Sequence, residues 1–122
     1  MKYFNKISLA LLLTLSVIPL SAHDLKGAVA SEDRTPKYML RDQFRNPVET
    51  LSFFGIESDM TVVELSPGGG WYTEILANYI HYPGTLIAAH WSKDSEVAYF
   101  RRGRANFEKK MSEDPMYGRV EI

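Results

Sequence analysis

The stretch VVELSPGGGWYTEIL, residues 62–76, carries a β-branched run through Ser66, Pro67 and three consecutive glycines straight into an aromatic and aliphatic pattern of helical period. A strand that ends in so short a corner and reopens as a helix is the building unit of a parallel sheet, because the helix must return the chain to the start of a neighbouring strand. The corner also has chemical consequences. It aims backbone N–H groups and the positive end of a helix dipole at one spot, and the missing Cβ atoms let a ligand approach. A turn that only packed helix on sheet would need one glycine rather than three, so Gly68, Gly69 and Gly70 are expected to form a binding loop.

The flanking sequence supplies the rest of such a unit. Before the corner, Asn46 is placed to cap a helix over 47–54, with Pro47 at its first position, Glu49 able to reach back to the cap and Gly55 to end it. Buried strands are expected over 61–65 and 85–89, with a helix over 71–80 that turns Ile75, Leu76 and Tyr79 inward. Val97, Phe100, Phe107 and Met111 recur at helical spacing before Pro115, and GRVEI, residues 118–122, starts a third strand. Strand, helix, strand, helix, strand implies parallel strands joined by crossovers. Residues 23–34, HDLKGAVASEDR, have no periodicity and read as an exposed arm.

The N-terminus has a different character. Lys2 and Lys6 precede the apolar run ISLALLLTLSVIPL, and small residues follow, the order of a secretory signal peptide over residues 1–22. Cleavage is expected after Ala22, with Ala30 as the later alternative; the run is short and interrupted by Ser16 and Pro19, which disfavours a retained anchor. The product would be periplasmic or secreted, with no stable membrane insertion. Loss of Lys2 and Lys6 leaves 12 basic against 15 acidic residues, a formal charge of −3 that offers no general attraction to nucleic acid. The local run RRGR, residues 101–104, reads as a solvated helix face. With no cysteine there is neither a disulfide framework nor a thiolate site, and His23, His81 and His90 lack metal-ligand spacing, so no metal is expected.

The loop narrows the ligand. No lysine stands where a P-loop needs one, and a dinucleotide fingerprint would fall on Ser66, Gly68 and Trp71, where tryptophan replaces the glycine that lets helix and strand approach. What remains is acidic-x-G-x-G-x-G, met by Glu64, Ser66, Gly68 and Gly70 with serine for the first glycine. That is the first motif of class I S-adenosylmethionine-dependent methyltransferases. RDQFRNPVETLSFFGI, MTVVELSPGGGWYTEILANYI and GTLIAAHW together resemble a predicted, often exported bacterial subgroup of that family, with an arginine-rich helix before the first strand.

The resemblance covers residues 38–122 and implies a Rossmann-like α/β fold, a mostly parallel seven-stranded sheet, of which residues 35–122 would supply the N-terminal half with its first three strands. It implies S-adenosyl-L-methionine as cofactor, Glu64 near its methionine end, and Ser66, Gly68, Gly69, Gly70 and Trp71 along its length. Where the family grips the ribose with an acidic residue this chain has His90, or Asp94 folding back. The segments that carry catalytic groups in the family have no counterpart here, so the catalytic residues are unknown and the methyl acceptor, a small molecule or other, is open. An unfinished sheet should leave apolar area exposed, with Phe100, Phe107 and Met111 foremost. The alternative is a non-catalytic envelope domain whose glycine loop binds another nucleoside or an acidic ligand.

Overall fold

The computed structural model describes residues 24–122; the expected signal peptide over 1–22 lies outside them, as does His23. The chain is mixed α/β. Four short helices, α1 (Leu25–Val29), α2 (Pro36–Met39), α3 (Asp42–Arg45) and α4 (Pro47–Phe53), precede strand β1 (Thr61–Leu65). Helix α5 (Trp71–Tyr79), strand β2 (Thr85–Ala89), helix α6 (Ala98–Glu113) and a 3₁₀ turn at Pro115–Tyr117 follow.

β1 and β2 pair in parallel, with Val62 opposite Leu86 and Glu64 opposite Ala88. The third strand expected over 118–122 reduces to one parallel bridge, between Ile87 and Glu121. Its two hydrogen bonds, Glu121 N–H to Leu86 O at 2.9 Å and Ala88 N–H to Glu121 O at 2.7 Å, use the β2 groups that point away from β1, so Glu121 lies on the far edge of β2. The spatial order is therefore Glu121, β2, β1, and the other edge of β1 has no partner among the described residues.

Both strands were expected to be buried, yet only one face of the sheet is. Leu86 and Ala88 on β2 are buried on the side that α5 covers, whereas Val63 and Leu65 on β1 are 51% and 78% exposed on the other. Alternation along a strand puts successive side chains on opposite faces, so covering one face leaves every second residue of β1 in the open. The core lies on the covered side: Ile75, Leu76 and Tyr79 of α5 face inward as expected, packed with Leu51, Phe107, Met111 and Tyr117.

Three expectations are corrected here. Residues 24–34 are not an exposed arm: Asp24 caps α1 by accepting from Lys26 N–H, Leu25 and Ala28 are buried against the core, and Arg34 is 1% exposed. Two small apolar contacts and one buried guanidinium, too few to make a periodic pattern, are enough to dock the segment. Asn46 does not cap α4 with its side chain; it takes a left-handed conformation, φ 44°, linking α3 to α4. Phe107 and Met111 are 1% and 4% exposed rather than uncovered, because α6 seats them against Gly70 and the 3₁₀ turn. Phe44, Phe53 and Phe54 ahead of β1, and Tyr82 and Tyr99 after it, are exposed instead.

These burials separate two kinds of apolar position. Ile75→Ala should cost about 2–5 kcal/mol, the range for deleting a fully buried aliphatic side chain. Phe53→Ala, at a ring 86% exposed, should stay within about 0.5 kcal/mol. Urea unfolding of both variants checks the contrast.

Candidate functional site

Ser66, Gly68, Gly69 and Gly70 form the corner between β1 and α5. Ser66 N–H extends the ladder by donating to Ala89 O at 3.0 Å, and Ser66 itself sits at φ 54°. Gly70 N–H closes a turn on Pro67 O at 2.9 Å. Gly68 and Gly70 have φ 60° and 90°, the left-handed region that costs a residue with a Cβ roughly 1–2 kcal/mol.

Each glycine answers a separate demand, and the count of three does not by itself require a ligand. A Cβ on Gly69 would collide with the Tyr38 hydroxyl, and one on Gly70 would lie 3.2 Å from the Phe107 ring. Of the three, only Gly68 has no atom of the described residues within 4 Å of its Cβ position. Gly69 and Gly70 are thus explained by packing, and Gly68 is where the loop faces open space.

Two cavities flank the loop and share Tyr38, Gly68 and Gly69 as their common wall. Tyr38 O–H donates to Gly69 O at 3.0 Å, and its own carbonyl accepts from the Trp71 indole N–H at 2.9 Å. Burial holds the Tyr38 phenol above its ordinary pKa, the Glu74 charge adds to this, and Arg41 opposes it. Trp71 is 4% exposed and borders the second cavity, while the Arg45 guanidinium stands 4.7 Å from its ring centre.

What fixes this wall is a buried carboxylate. Glu74, fully buried in the first turn of α5, accepts from Thr35 N–H at 2.9 Å and Thr35 O–H at 2.5 Å, and pairs with Lys110 from α6. Lys110 also donates to Gly69 O at 3.1 Å. Alongside, Arg34 meets Asp42 through two hydrogen bonds, 2.6 and 3.0 Å, and Tyr117 O–H holds Asp33 O at 2.8 Å.

The smaller cavity, about 340 Å³, is bordered by Glu64, Ser66, Gly68, Gly69, Trp71, Arg41 and Arg45 among others. Glu64 leaves β1 on the covered face and accepts from the Thr73 hydroxyl at 2.6 Å. Desolvation raises its pKa, and the Thr73 hydrogen bond only partly offsets this. A cation reaching Glu64 would relieve that penalty. Arg41 and Arg45, four residues apart, bring two guanidinium groups to the same cavity.

The larger cavity, about 650 Å³, lies on the α6 side and includes His90 and Trp91. His90 was expected to take a ribose hydrogen bond, but both of its ring nitrogens have protein partners. Nδ1 accepts from Trp91 N–H at 2.8 Å, so Nε2, 3.1 Å from Gly68 O, carries the proton and donates. His90 therefore ties the end of β2 to the loop, with its ring 4.9 Å from that of Phe107. Asp94, the other ribose candidate, borders neither cavity.

The site thus unites Glu64, Ser66, Gly68, Gly69 and Trp71 around one cavity and His90 across the loop in the other, with Gly70 behind as a packing residue. Sequence reasoning passed over Thr35, Tyr38, Thr73, Glu74 and Lys110. Glu74 could have been suspected as an acid directly before the buried Ile75 and Leu76. Among the described residues, no group of His, Asp and Glu is arranged to hold a metal ion, and no helix is long and apolar enough to cross a membrane. Comparison with protein-family models, curated proteins and solved structures gives no match.

The raised pKa of Glu64 predicts a pH effect. The folded chain holds this proton to a higher pH than the unfolded chain, so ionisation destabilises the fold as pH rises from the ordinary value, 4.5, through the raised one. Glu64→Gln cannot ionise yet still accepts from Thr73. It should match the parent at low pH and exceed its melting temperature at neutral pH, as read by thermal melts across the acid range.

Proposed function

We propose that the chain binds S-adenosyl-L-methionine, as the cofactor-binding part of a Rossmann-like class I methyltransferase. The observation that supports this best is the charge pattern of the smaller cavity. One carboxylate, Glu64, and two guanidinium groups, Arg41 and Arg45, border it beside the open backbone of Gly68. An amino-acid zwitterion asks for that combination, an anion for its ammonium and cations for its carboxylate. The raised pKa of Glu64 marks a carboxylate short of positive company, which an ammonium or sulfonium group supplies.

The cofactor's contribution is a methyl group on a positively charged sulfur. The chain's own residues bind and orient: Arg41 and Arg45 hold the carboxylate, Glu64 holds the cationic end, and Gly68 leaves the backbone clear. Transfer to an acceptor depends mainly on alignment, and no described residue is assigned a catalytic role. The acceptor stays unassigned. The apolar N-terminal run supports a periplasmic or secreted location for the same activity.

Calorimetric titration with S-adenosylmethionine and with NAD tests this reading. Gly68→Val, which puts two methyl groups into the open space at a left-handed position, should weaken S-adenosylmethionine by at least about tenfold, or about 1.4 kcal/mol. Arg41→Gln and Arg45→Gln together should weaken it as well, while thermal melts stay near those of the parent. Tight binding of NAD without S-adenosylmethionine would overturn the reading. Binding of neither would favour the non-catalytic envelope domain.

A further inference from the structure

Thr73 stands in the first turn of α5, is fully buried, and borders neither cavity beside the loop. Its hydroxyl nevertheless reaches across to β1 and donates to Glu64 Oε2 at 2.6 Å. That is not the partner a helix offers by default, because a threonine hydroxyl inside a helix commonly donates to a backbone carbonyl about one turn back. Here those carbonyls are engaged. Gly69 O accepts from Tyr38 O–H at 3.0 Å and from Lys110 Nζ at 3.1 Å, and Gly70 O accepts from Glu74 N–H at 3.0 Å. With both lone pairs of Gly69 O in use, the Thr73 proton goes to Glu64.

The bond divides the carboxylate. Oε2 is held by Thr73, whereas Oε1 has no hydrogen-bond partner among the described residues and is not sealed from solvent. Glu64 borders the smaller cavity, so Oε1 is the oxygen left for a ligand there. Arg41 and Arg45 are the charged groups that border the same cavity, and neither is ion-paired with Glu64. Burial opposes a charge on Glu64, and the Thr73 bond favours it. A hydrogen bond given to an ionised carboxylate is stronger than one given to its neutral form.

We propose that Thr73 is the positioning residue of the smaller cavity, its hydroxyl holding Glu64 Oε2 so that Oε1 is left, charged, for the cationic end of the ligand. The inference rests on the S-adenosylmethionine reading and adds the group that decides how well Glu64 serves an ammonium or a sulfonium. Thr73 touches no ligand itself and acts through the carboxylate.

The test uses the full chain. Thr73→Val keeps the shape of the side chain and removes the hydroxyl, Thr73→Ala removes it with less bulk, and Thr73→Ser restores it; thermal melts confirm that each variant is folded. The first readout needs no ligand and is an NMR titration of the Glu64 side-chain carboxyl. Its midpoint should move to higher pH in the valine and alanine variants, because the bond that favours the anion is gone, and should stay with the parent in the serine variant.

The second readout is calorimetric titration with S-adenosylmethionine over the same pH range, each variant taken relative to the parent so that the ligand's own titration cancels. At the pH of the parent's carboxyl midpoint, the valine and alanine variants should bind at least about fivefold more weakly than the parent. The gap should narrow at higher pH, where Glu64 is ionised in every variant, and Thr73→Ser should bind like the parent. A Glu64 midpoint that does not rise without the hydroxyl, a midpoint that rises with no loss of binding, or a serine variant that behaves like the valine one would each overturn the proposal. A parent that binds no S-adenosylmethionine overturns the cofactor reading, and a midpoint shift in that case still supports the hold of Thr73 on Glu64, so the two failures are distinguishable.

Discussion

The Glu74 carboxylate is the interaction on which the arrangement around the loop depends. It is fully buried, and a carboxylate removed from water without partners costs several kcal/mol, so α5 can bury it only while both Thr35 groups and Lys110 are in place. Those partners come from residues far apart in sequence. One acid therefore joins the segment before β1, the helix after the glycine corner and the helix after β2 into one body. Once Thr35 is fixed, Tyr38 is carried one helical turn further and lies across Gly69.

That placement makes two cavities out of one open surface. Tyr38 and the loop form a partition, with Glu64, Arg41 and Arg45 on one side and Lys37, Arg102 and His90 on the other. The partition also gives the glycines distinct duties. Gly69 yields to the Tyr38 hydroxyl and Gly70 to Phe107, which leaves Gly68 as the position whose bareness faces open space rather than protein. Charge then separates the cavities: Glu64 borders one together with Arg41 and Arg45, and no carboxylate borders the other.

Local signals made the two strands, α5 and α6 legible in sequence, because β-branched runs bounded by turns and helical apolar spacing are properties of short windows. Pro47 and Gly55 bounded α4 for the same reason. What could not be read is whatever depends on contacts distant in sequence. The docking of residues 24–34 rests on Leu25, Ala28 and a buried Arg34, which form no pattern in a window. Glu74 stands on a helix where acids are ordinary, and only its distance from solvent, set by Thr35 and Lys110, makes it special. The corner from strand to helix is legible in its glycines, but the inference from three glycines to a ligand leaves out Tyr38 and Phe107. The tautomer of His90 follows from Trp91 N–H and Gly68 O, neither of which the sequence places near its ring.

The central claim is that Glu74 holds the wall over the loop, and amide hydrogen exchange in Glu74→Met measures it most directly. The thioether keeps the bulk of the side chain but cannot replace the carboxylate toward Thr35 and Lys110. In this variant the amides of Thr35 and Tyr38 should lose protection and exchange through local opening, while those of Ile75 and Leu76, deep in α5, remain slow. Thr35 and Tyr38 amides as protected as in the parent would contradict the account, because the wall would then be held without the carboxylate.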